Sequence, residues 1–215
     1  MAFRVPNGST VDIAGTYAAS VTVTAITNAA TAVVTAAGHG LADGDYIELT
    51  SGWLRLTDRV FRVDNVTTNT FELEGINTTD TNIYPAGTGT GSLRKIATWV
   101  QVSQITDSAT TGGDQQFLTV GFLEENDDRQ IPTTRTPQTI TLTVADDSSQ
   151  PFVAVAEAAD TARSQNGLRF NLPNGDKIVF NGYLTFSRVP SLSRNNLMTR
   201  VMTFSGSGQI NRYNV

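Results

Sequence analysis

Pairs of acidic residues are the most frequent feature of this chain that could do chemistry. They stand at Asp43/Asp45, Glu124/Glu125, Asp127/Asp128 and Asp146/Asp147. Two carboxylates held across a cleft can hydrolyse a glycosidic bond. Adjacent residues of a strand point to opposite faces, however, and paired acids in loops are usually solvated. The pairs therefore favour an acidic surface, and a β-sandwich hydrolase stays open as an alternative whose signature would be loss of turnover on Asp or Glu substitution.

Two glycine-containing segments have the composition of ligand loops but the wrong context. Gly87-Thr-Gly-Thr-Gly91 is followed by a predicted strand, whereas a phosphate-binding loop needs a helix there to direct its N–H groups and dipole at the anion. His39 lies in Gly38-His-Gly-Leu-Ala-Asp-Gly-Asp45, where the glycines indicate turns with positive φ. We expect His39 to be a structural turn residue. Asp43-Gly-Asp45 followed by Glu48 matches a calcium loop poorly.

Composition excludes further kinds of site. The chain has no cysteine and one histidine, so disulfides, Cys/His zinc sites, cysteine nucleophiles and any Ser-His-Asp triad without His39 are excluded. We expect no metal and no cofactor. The net charge of −5 argues against a surface that grips nucleic acid. No apolar run is long enough for a membrane span and the N-terminus carries no visible export signal, so a soluble protein is expected.

The elements that position these residues are mostly short Thr- and Val-rich strands, with one predicted helix from Pro151 to Asn166. Ser148 and Ser149 are candidate N-caps, Pro151 suits the first turn, and Asn166-Gly167 is a stop signal. Apolar residues recur at helical spacing, namely Phe152, Val155, Ala156 and Ala159. We expect a helix of about 24 Å that lies against one face of a sheet.

The C-terminal half contains the clearest strand signals. Gln138 to Ala145 alternates strictly between apolar residues and threonine, which predicts a half-buried strand. Leu168 to Leu172 alternates again and meets Pro173-Asn174-Gly175-Asp176, which favours a tight hairpin turn into Lys177–Ser187. Further strands are predicted at Thr98–Gln104, Gln115–Phe122 and Met198–Ser205.

Residues 27–92 have a different texture. Short strand candidates separated by Gly, Asp and Asn turns lie at Ala32–Ala36, Tyr46–Thr50, Arg59–Val66 and Thr70–Glu74. The segment ends in Pro85 to Ser92, which has the composition of a linker. We predict a small β module at 27–92, inserted into a discontinuous domain made of 1–26 and 93–215.

The ordered motifs of the C-terminal half resemble the major tail tube proteins of lambda-type bacteriophages, which have long non-contractile tails. The motifs are the strand–helix order followed by Phe170-Asn-Leu-Pro-Asn-Gly175, Phe180-Asn-Gly-Tyr183 and Thr199-Arg-Val-Met-Thr203. The resemblance covers about Leu93 to Arg212. It implies a mainly β fold, a β-sandwich or partial barrel with one helix packed on it. The Gly38-to-Asp45 signature is similar to small β-barrel modules inserted in many phage tail proteins, and we expect this module on the outside of a tube.

The resemblance implies a structural virion protein and not an enzyme. It implies hexameric rings that stack into a hollow tube, through which double-stranded DNA leaves the capsid without specific binding. It also implies tape measure, tail terminator and distal tail proteins as partners, and assembly in the bacterial host cytoplasm before residence in the virion tail. The charge agrees, because an acidic lumen repels phosphate and a basic one would bind it.

The polar segment from Leu123 to Pro137 is the predicted subunit-contact loop. Loops of about 12 to 15 residues or more are uncommon in compact domains and are often functional, and the resemblance implies that this one contacts neighbouring subunits and the next ring. The predicted contact residues are Phe122, Leu123, Glu124, Asp127, Asp128, Arg129, Ile131 and Arg135. The N-terminal arm (Phe3, Arg4 and Val5) is a second candidate.

Two alternatives to these readings remain open. Leu123 to Pro137 could be no more than a mobile surface loop. The chain could also be a carbohydrate-binding or capsid- or tail-associated β module, although Trp53 and Trp99 are far apart in sequence and form no evident aromatic cluster.

Deleting Glu124 to Thr136 is predicted to leave a folded monomer that cannot polymerise.

Overall fold

A computed structural model describes residues 7–214 and contains one α-helix among many short strands. The strands of the first half are β1 (Thr10–Tyr17), β2 (Val21–Val23), β3 (Ala25–Ile26), β4 (Val33–Thr35), β5 (Tyr46–Ser51), β6 (Arg59–Asp64), β7 (Thr70–Leu73) and β8 (Gly91–Val102). The second half contains β9 (Ile105–Thr111), β10 (Gln115–Val120), β11 (Arg129–Arg135), β12 (Thr139–Ala145), α1 (Pro151–Ala162), β13 (Gln165–Asn171), β14 (Lys177–Phe186), β15 (Thr199–Gly206) and β16 (Asn211–Tyr213). The fold is mainly β, as predicted.

The body of the protein is an antiparallel sheet in the order β8-β1-β13-β14-β15-β12-β9. Its inner face packs against α1, whose Phe152, Val153, Ala156 and Ala159 are buried. On β12 the apolar residues face the helix and the threonines face away, which confirms the predicted alternation. The tight turn between β13 and β14 is also confirmed, since Leu172 and Asp176 close it with a backbone hydrogen bond of 3.0 Å.

The helix is shorter than predicted. It ends at Ala162, where Arg163 takes a left-handed conformation with φ 50°. Gln165 and Asn166 belong instead to β13 and pair with Tyr183 and Gly182 on β14. The prediction to Asn166 was wrong because pairing with β14 satisfies the backbone groups of these two residues, and a longer helix would remove them from the sheet.

The helix begins without the predicted serine cap. Gln150 occupies the N-cap position and makes no side-chain capping hydrogen bond, while Pro151 stands in the first turn as expected. Asp147 organises the preceding turn, since its carboxylate accepts hydrogen bonds from the backbone N–H (3.0 Å) and Oγ (2.6 Å) of Ser149. It also accepts from Nε2 of Gln150 at 2.7 Å. These bonds, from Ser149 first, hold the pKa of Asp147 well below its usual range.

The first half forms a small barrel. Its sheet runs β3-β4-β7-β6-β5-β8, and β2 pairs with the other edge of β8. Because β2 and β3 are one continuous segment, residues 21–26 join the two edges of the sheet and close the barrel. The interior is filled by large apolar side chains that include Trp53, Phe61 and Phe71.

The predicted module bounds, 27–92, leave out part of this barrel. The closing segment 21–26 precedes them, and β8 runs through residue 92 without a break, from barrel into body. Pro85 to Ser92 is not a free linker, because Nε1 of Trp53 donates to the carbonyl of Pro85 and to Oγ1 of Thr88, both at 2.9 Å. The division of the chain into domains stays a prediction.

His39 is a buried structural residue of the barrel. Its Nδ1 accepts the backbone N–H of Leu41 at 3.1 Å, and its ring meets Phe71 edge to face at 5.3 Å. The flanking Gly38 and Gly40 have φ of 65° and 60°, which side chains with a Cβ rarely adopt. His39 is therefore a structural turn residue, as predicted.

A third cluster joins barrel and body. Tyr46 and Val60 of the barrel are buried against Ile96, Val179 and Tyr213. The hydroxyl of Tyr213 accepts the backbone N–H of Arg62 at 2.9 Å, and burial raises the pKa of this phenol to about 12. The two halves are thus connected by packing and hydrogen bonds as well as by β8.

Candidate subunit interface

A two-stranded arm projects from the edge of the body sheet. β9 pairs with β12 at this edge, and the same two chain segments continue as β10 and β11, which pair only with each other. We call residues 114–136 the arm and residues 121–128 its tip. The predicted long loop from Leu123 to Pro137 was therefore partly wrong, because residues 129–135 are the strand β11.

The arm turns away from the sheet at two adjacent glycines. Gly112 and Gly113 have φ of 80° and 83°, a conformation that favours glycine. A Cβ on Gly112 would lie 2.1 Å from the carbonyl oxygen of Pro137 on the opposite strand. The backbone pairing resumes beyond this point, with the N–H of Thr136 donating to the carbonyl of Asp114 at 3.0 Å. Gly112 and Gly113 therefore set this bend, because a residue with a side chain at either position would strain the backbone.

Both faces of the arm carry exposed apolar side chains. Leu118 stands opposite Ile131, and Phe117 stands opposite Pro132 on the other face. Phe117, Leu118 and Ile131 are each more than half exposed. A lone two-stranded hairpin is marginally stable in water, and contiguous exposed apolar surface marks an interaction site. The arm is therefore suited to be covered by another protein surface.

The tip adds negative charge to this apolar surface. Phe122 is half exposed and Leu123 is fully exposed, beside the four carboxylates at positions 124, 125, 127 and 128. Glu125 forms an ion pair with Arg129. The tip itself contains no basic residue. It can therefore supply apolar contacts and attract a positively charged surface.

All eight contact residues predicted from the sequence lie on the arm or its tip and are exposed. Phe122, Leu123, Glu124, Asp127 and Asp128 belong to the tip, whereas Arg129, Ile131 and Arg135 lie on β11. Nε of Arg135 donates to Oε1 of Gln115 at the base of the arm, at 3.2 Å. Their role in subunit contacts stays a prediction. Phe3, Arg4 and Val5 lie outside the described residues.

Sequence reasoning missed Phe117 and Leu118 as surface residues. Adjacent residues of a strand point to opposite faces, so two neighbouring large apolar residues cannot both face one core. The adjacency of Phe117 and Leu118 was therefore the sequence signal that could have identified one of them as exposed. A second exposed apolar set, in the segment between β14 and β15, gave no such signal and contains Val189, Leu192, Leu197 and Met198.

The outer face of the body sheet is rich in threonine and serine. Thr139, Thr141 and Thr143 on β12 lie beside Thr203 and Ser205 on β15. Asp107 on β9 stands opposite Thr143 and shares this face. Asp107 and Arg200 are the two charged residues in β9, β12 and β15. The side chain of Arg200 is buried and pairs with Glu157 on the helix side at 2.8 Å. Across β9, β12 and β15 the outer face is thus largely polar and weakly acidic, whereas across β1 and β14 the same face packs against the barrel through Ala14 and Val179.

The two tryptophans give no support to the carbohydrate-binding alternative. Trp53 is 1% exposed, and Trp99 is covered by the guanidinium of Arg169 at 4.4 Å and by Tyr46, so neither presents a free ring to a sugar. Residues 7–214 contain no group of three or more His, Asp or Glu side chains that could hold a metal ion. No helix in the same range is long and apolar enough to cross a membrane.

The described chain is thus a mainly β body joined to a small barrel, with an exposed apolar arm at one edge of the body sheet. The chain belongs to the phage tail tube protein family, whose model matches residues 51–215. It is therefore a structural protein of the bacteriophage tail and resides in the virion. The matched region begins inside the barrel and includes the arm, the helix and the body strands from β8 onward.

Other comparisons give less. No curated protein matches the chain. Among solved structures it is similar to a cryo-EM structure of the anti-feeding prophage cap, the AFP tube-terminating cap. The identity is 17%, the TM-score is 0.39, and the match covers 54% of this chain and 83% of that chain.

Proposed function

We propose that this protein forms hexameric rings that stack into the hollow tail tube of a phage with a long non-contractile tail, and that double-stranded DNA passes through the tube. Membership of the tail tube family supports the tube itself. The observation that carries the proposal further is the arm, an exposed apolar hairpin with an acidic tip. Such a surface is costly to leave in water and becomes stable when another subunit covers it.

The outer face of β9, β12 and β15 is the proposed lining of the tube. Threonine and serine side chains hydrogen-bond to water and offer no cation to phosphate. Asp107 adds a negative charge to this face, which repels DNA and lets it slide, whereas lysine or arginine there would bind it. The surface charge of the whole chain has the same sign.

The barrel is proposed to lie on the exterior of the tube. It is connected to the edge of the body sheet through β8, on the side away from β9 and the arm. Assembly is proposed to occur in the host cytoplasm, with tape measure, tail terminator and distal tail proteins as further partners. These partners follow from the place of a tube between capsid and tail tip.

Negative-stain electron microscopy beside sedimentation of the purified chain tests this proposal. Six-fold rings or hollow tubes that appear as the concentration rises are expected. If the chain stays monomeric, tail-tip complexes are added to nucleate growth. Monomers that persist under both conditions, or binding to glycans under the same conditions, would overturn the tube proposal.

The lining is tested by reversing its charge. Asp107→Lys places a cation on the proposed lumen face, and Arg55→Glu alters an exposed charge on the barrel as a control. Tubes of the Asp107→Lys protein are expected to retain DNA in a pull-down at low salt, and wild-type and control tubes are not. Equal retention by all three would show that this face does not line the lumen.

A further inference from the structure

The segment between β14 and β15 forms a second exposed apolar surface, which we call the 187–198 loop. Val189, Leu192 and Leu197 are 74%, 80% and 63% exposed. The loop also contains Arg188 and Arg194 and no acidic residue. Nη2 of Arg188 donates to Oγ1 of Thr161 at 3.0 Å, and neither arginine pairs with a carboxylate within residues 7–214. The loop is thus an apolar surface with two uncompensated positive charges.

The composition of this loop is complementary to that of the arm tip. The tip presents Phe122 and Leu123 among four carboxylates, and the loop presents leucine and valine between two arginines. Opposite charges around apolar groups accelerate encounter and fix the register of an interface. The tip repels a second tip, and the loop repels a second loop, so each surface is matched only by the other.

The two surfaces lie at opposite ends of the same strands. Thr139, at the arm end of β12, pairs with Ser205, whereas Ala145 pairs with Thr199, which follows the 187–198 loop directly. At about 3.4 Å per residue, the seven residues of β12 separate these ends by about 20 Å. The arm leaves the sheet beyond Thr111 and Thr139, at the end opposite the loop. The length of the body strands therefore separates the base of the arm from the loop of the same molecule.

We propose that the arm tip of one copy binds the 187–198 loop of the next copy. The inference rests on the proposed assembly into a tube and names the surface that receives the arm. Because the two surfaces differ and lie at opposite ends, the contact is head to tail. A head-to-tail contact is not self-complementary, so it generates rings or open helical stacks, as a tube requires, and not a closed two-fold dimer.

Cross-linking tests which surface receives the tip. The chain has no cysteine, so Leu123→Cys in one copy can be mixed with Leu192→Cys in another and oxidised with diamide. Leu54→Cys is the matched control, because Leu54 is 88% exposed but lies on the barrel. The Leu123–Leu192 mixture is expected to give disulfide-linked pairs at least ten times more abundant than the Leu123–Leu54 mixture. Equal yields from the two mixtures, or none from either, would overturn the inference.

Charge exchange tests the electrostatic part. One variant carries Arg188→Glu and Arg194→Glu, and a second carries Glu124→Lys, Asp127→Lys and Asp128→Lys, which makes the tip positive. Each alone brings like charges together and is expected to raise the concentration needed for assembly at least tenfold. An equimolar mixture restores both pairings, since the unchanged tip of the first meets the unchanged loop of the second and the two altered surfaces also match. Recovery of assembly in the mixture also excludes misfolding as the cause of the separate failures.

The outcomes separate this inference from the proposed function. Wild-type tubes with unaffected assembly of both charge variants would refute the tip–loop contact and leave the tube intact. A Leu123–Leu192 cross-link in a protein that never forms rings or tubes would retain the contact and refute the tube. Failure of the mixed charge variants to assemble, with wild-type tubes present, would also count against the tip–loop pairing.

Discussion

At the scale of single residues, Asp147 organises the turn before α1 with four side-chain and backbone donors from Gln104, Ser149 and Gln150. Its pKa lies well below the usual range because these bonds favour the carboxylate. A group with a depressed pKa in the folded state contributes stability above its unfolded pKa, near 4, and loses that contribution as the pH falls below it. The turn should therefore weaken in acid.

Asp147→Asn tests this dependence. The variant is expected to be less stable than wild type at pH 7, and the difference in the free energy of unfolding should shrink between about pH 5 and pH 3. Urea unfolding at a series of pH values measures it, with Asp160→Asn on the helix surface as the control. A difference that stays constant across this range would contradict the prediction.

Tyr213 makes a hydrogen bond that no other described group replaces. Its hydroxyl accepts the backbone N–H of Arg62, and the side chain is buried between barrel and body. Tyr213→Phe leaves this N–H without its partner, which costs about 1 to 3 kcal/mol. Tyr183→Phe, at a half-exposed phenol of the outer face, is expected to change stability by about 0.5 kcal/mol or less. Chemical denaturation of both variants measures the difference, and similar losses would contradict it.

At the scale of elements, the arm is separable from the body. All residues of β10 and β11 are exposed or half-exposed, so they bury little apolar surface in the isolated chain. Asp114 and Thr136 face each other across the base of the arm, joined by hydrogen bonds of 3.0 Å. A two-residue Asn-Gly turn in place of residues 115–135 therefore closes the ribbon without distortion.

This replacement is expected to leave a folded protein that does not assemble. Its melting temperature should lie within about 4 °C of wild type, the shift that about 1 kcal/mol produces in a chain of this size. Calorimetry and sedimentation measure the two properties, with Leu54→Ala on the barrel as the control that assembles. The narrower deletion from Glu124 to Thr136 removes β11 and leaves β10 unpaired. Loss of assembly in that variant could therefore result from the unpaired strand as well as from the missing contact residues. Normal tubes from the armless protein would refute the role of the arm.

At the scale of the whole molecule, barrel and body share β8 and the cluster around Tyr46, Val60 and Tyr213. Side-chain hydrogen bonds add to this connection, since Nδ2 of Asn181 on β14 donates to Oε1 of the buried Glu48 on β5 at 3.3 Å. Nδ2 of Asn181 on β14 donates to the carbonyl of Asp58 in the barrel at 3.0 Å. Such sharing of strands and buried contacts favours a single cooperative unfolding transition.

The two tryptophans report on this cooperativity. Trp53 lies in the barrel interior and Trp99 on β8 where it pairs with β1. Trp53→Phe and Trp99→Phe leave one reporter each, and each variant's fluorescence transition in urea is expected to coincide with its own far-ultraviolet circular dichroism transition. Fluorescence and dichroism midpoints that differ within one variant would show that barrel and body unfold separately.

Local patterns in the sequence determined the elements whose hydrogen bonds and burial follow from neighbouring residues. Strict alternation predicted β12, Pro173-Asn174-Gly175 predicted the hairpin turn, and apolar spacing after Pro151 predicted the start of α1. The ordered set of these elements also indicated the tail tube family, which the match to residues 51–215 confirms.

Tertiary structure decided every feature that depends on a partner strand from elsewhere in the chain. α1 ends at Ala162 because β14 pairs with the chain from Gln165 onward, and β11 exists because β10 lies beside it. β9, rich in threonine and poor in apolar residues, was missed because its pairing with β12 and not its own pattern makes it a strand. Residues 21–26 likewise close the barrel only through β8 and β4. Backbone hydrogen bonds between distant strands leave little trace in local composition, so the arm, the closed barrel and the opposed ends of the body sheet emerge only when the chain is folded.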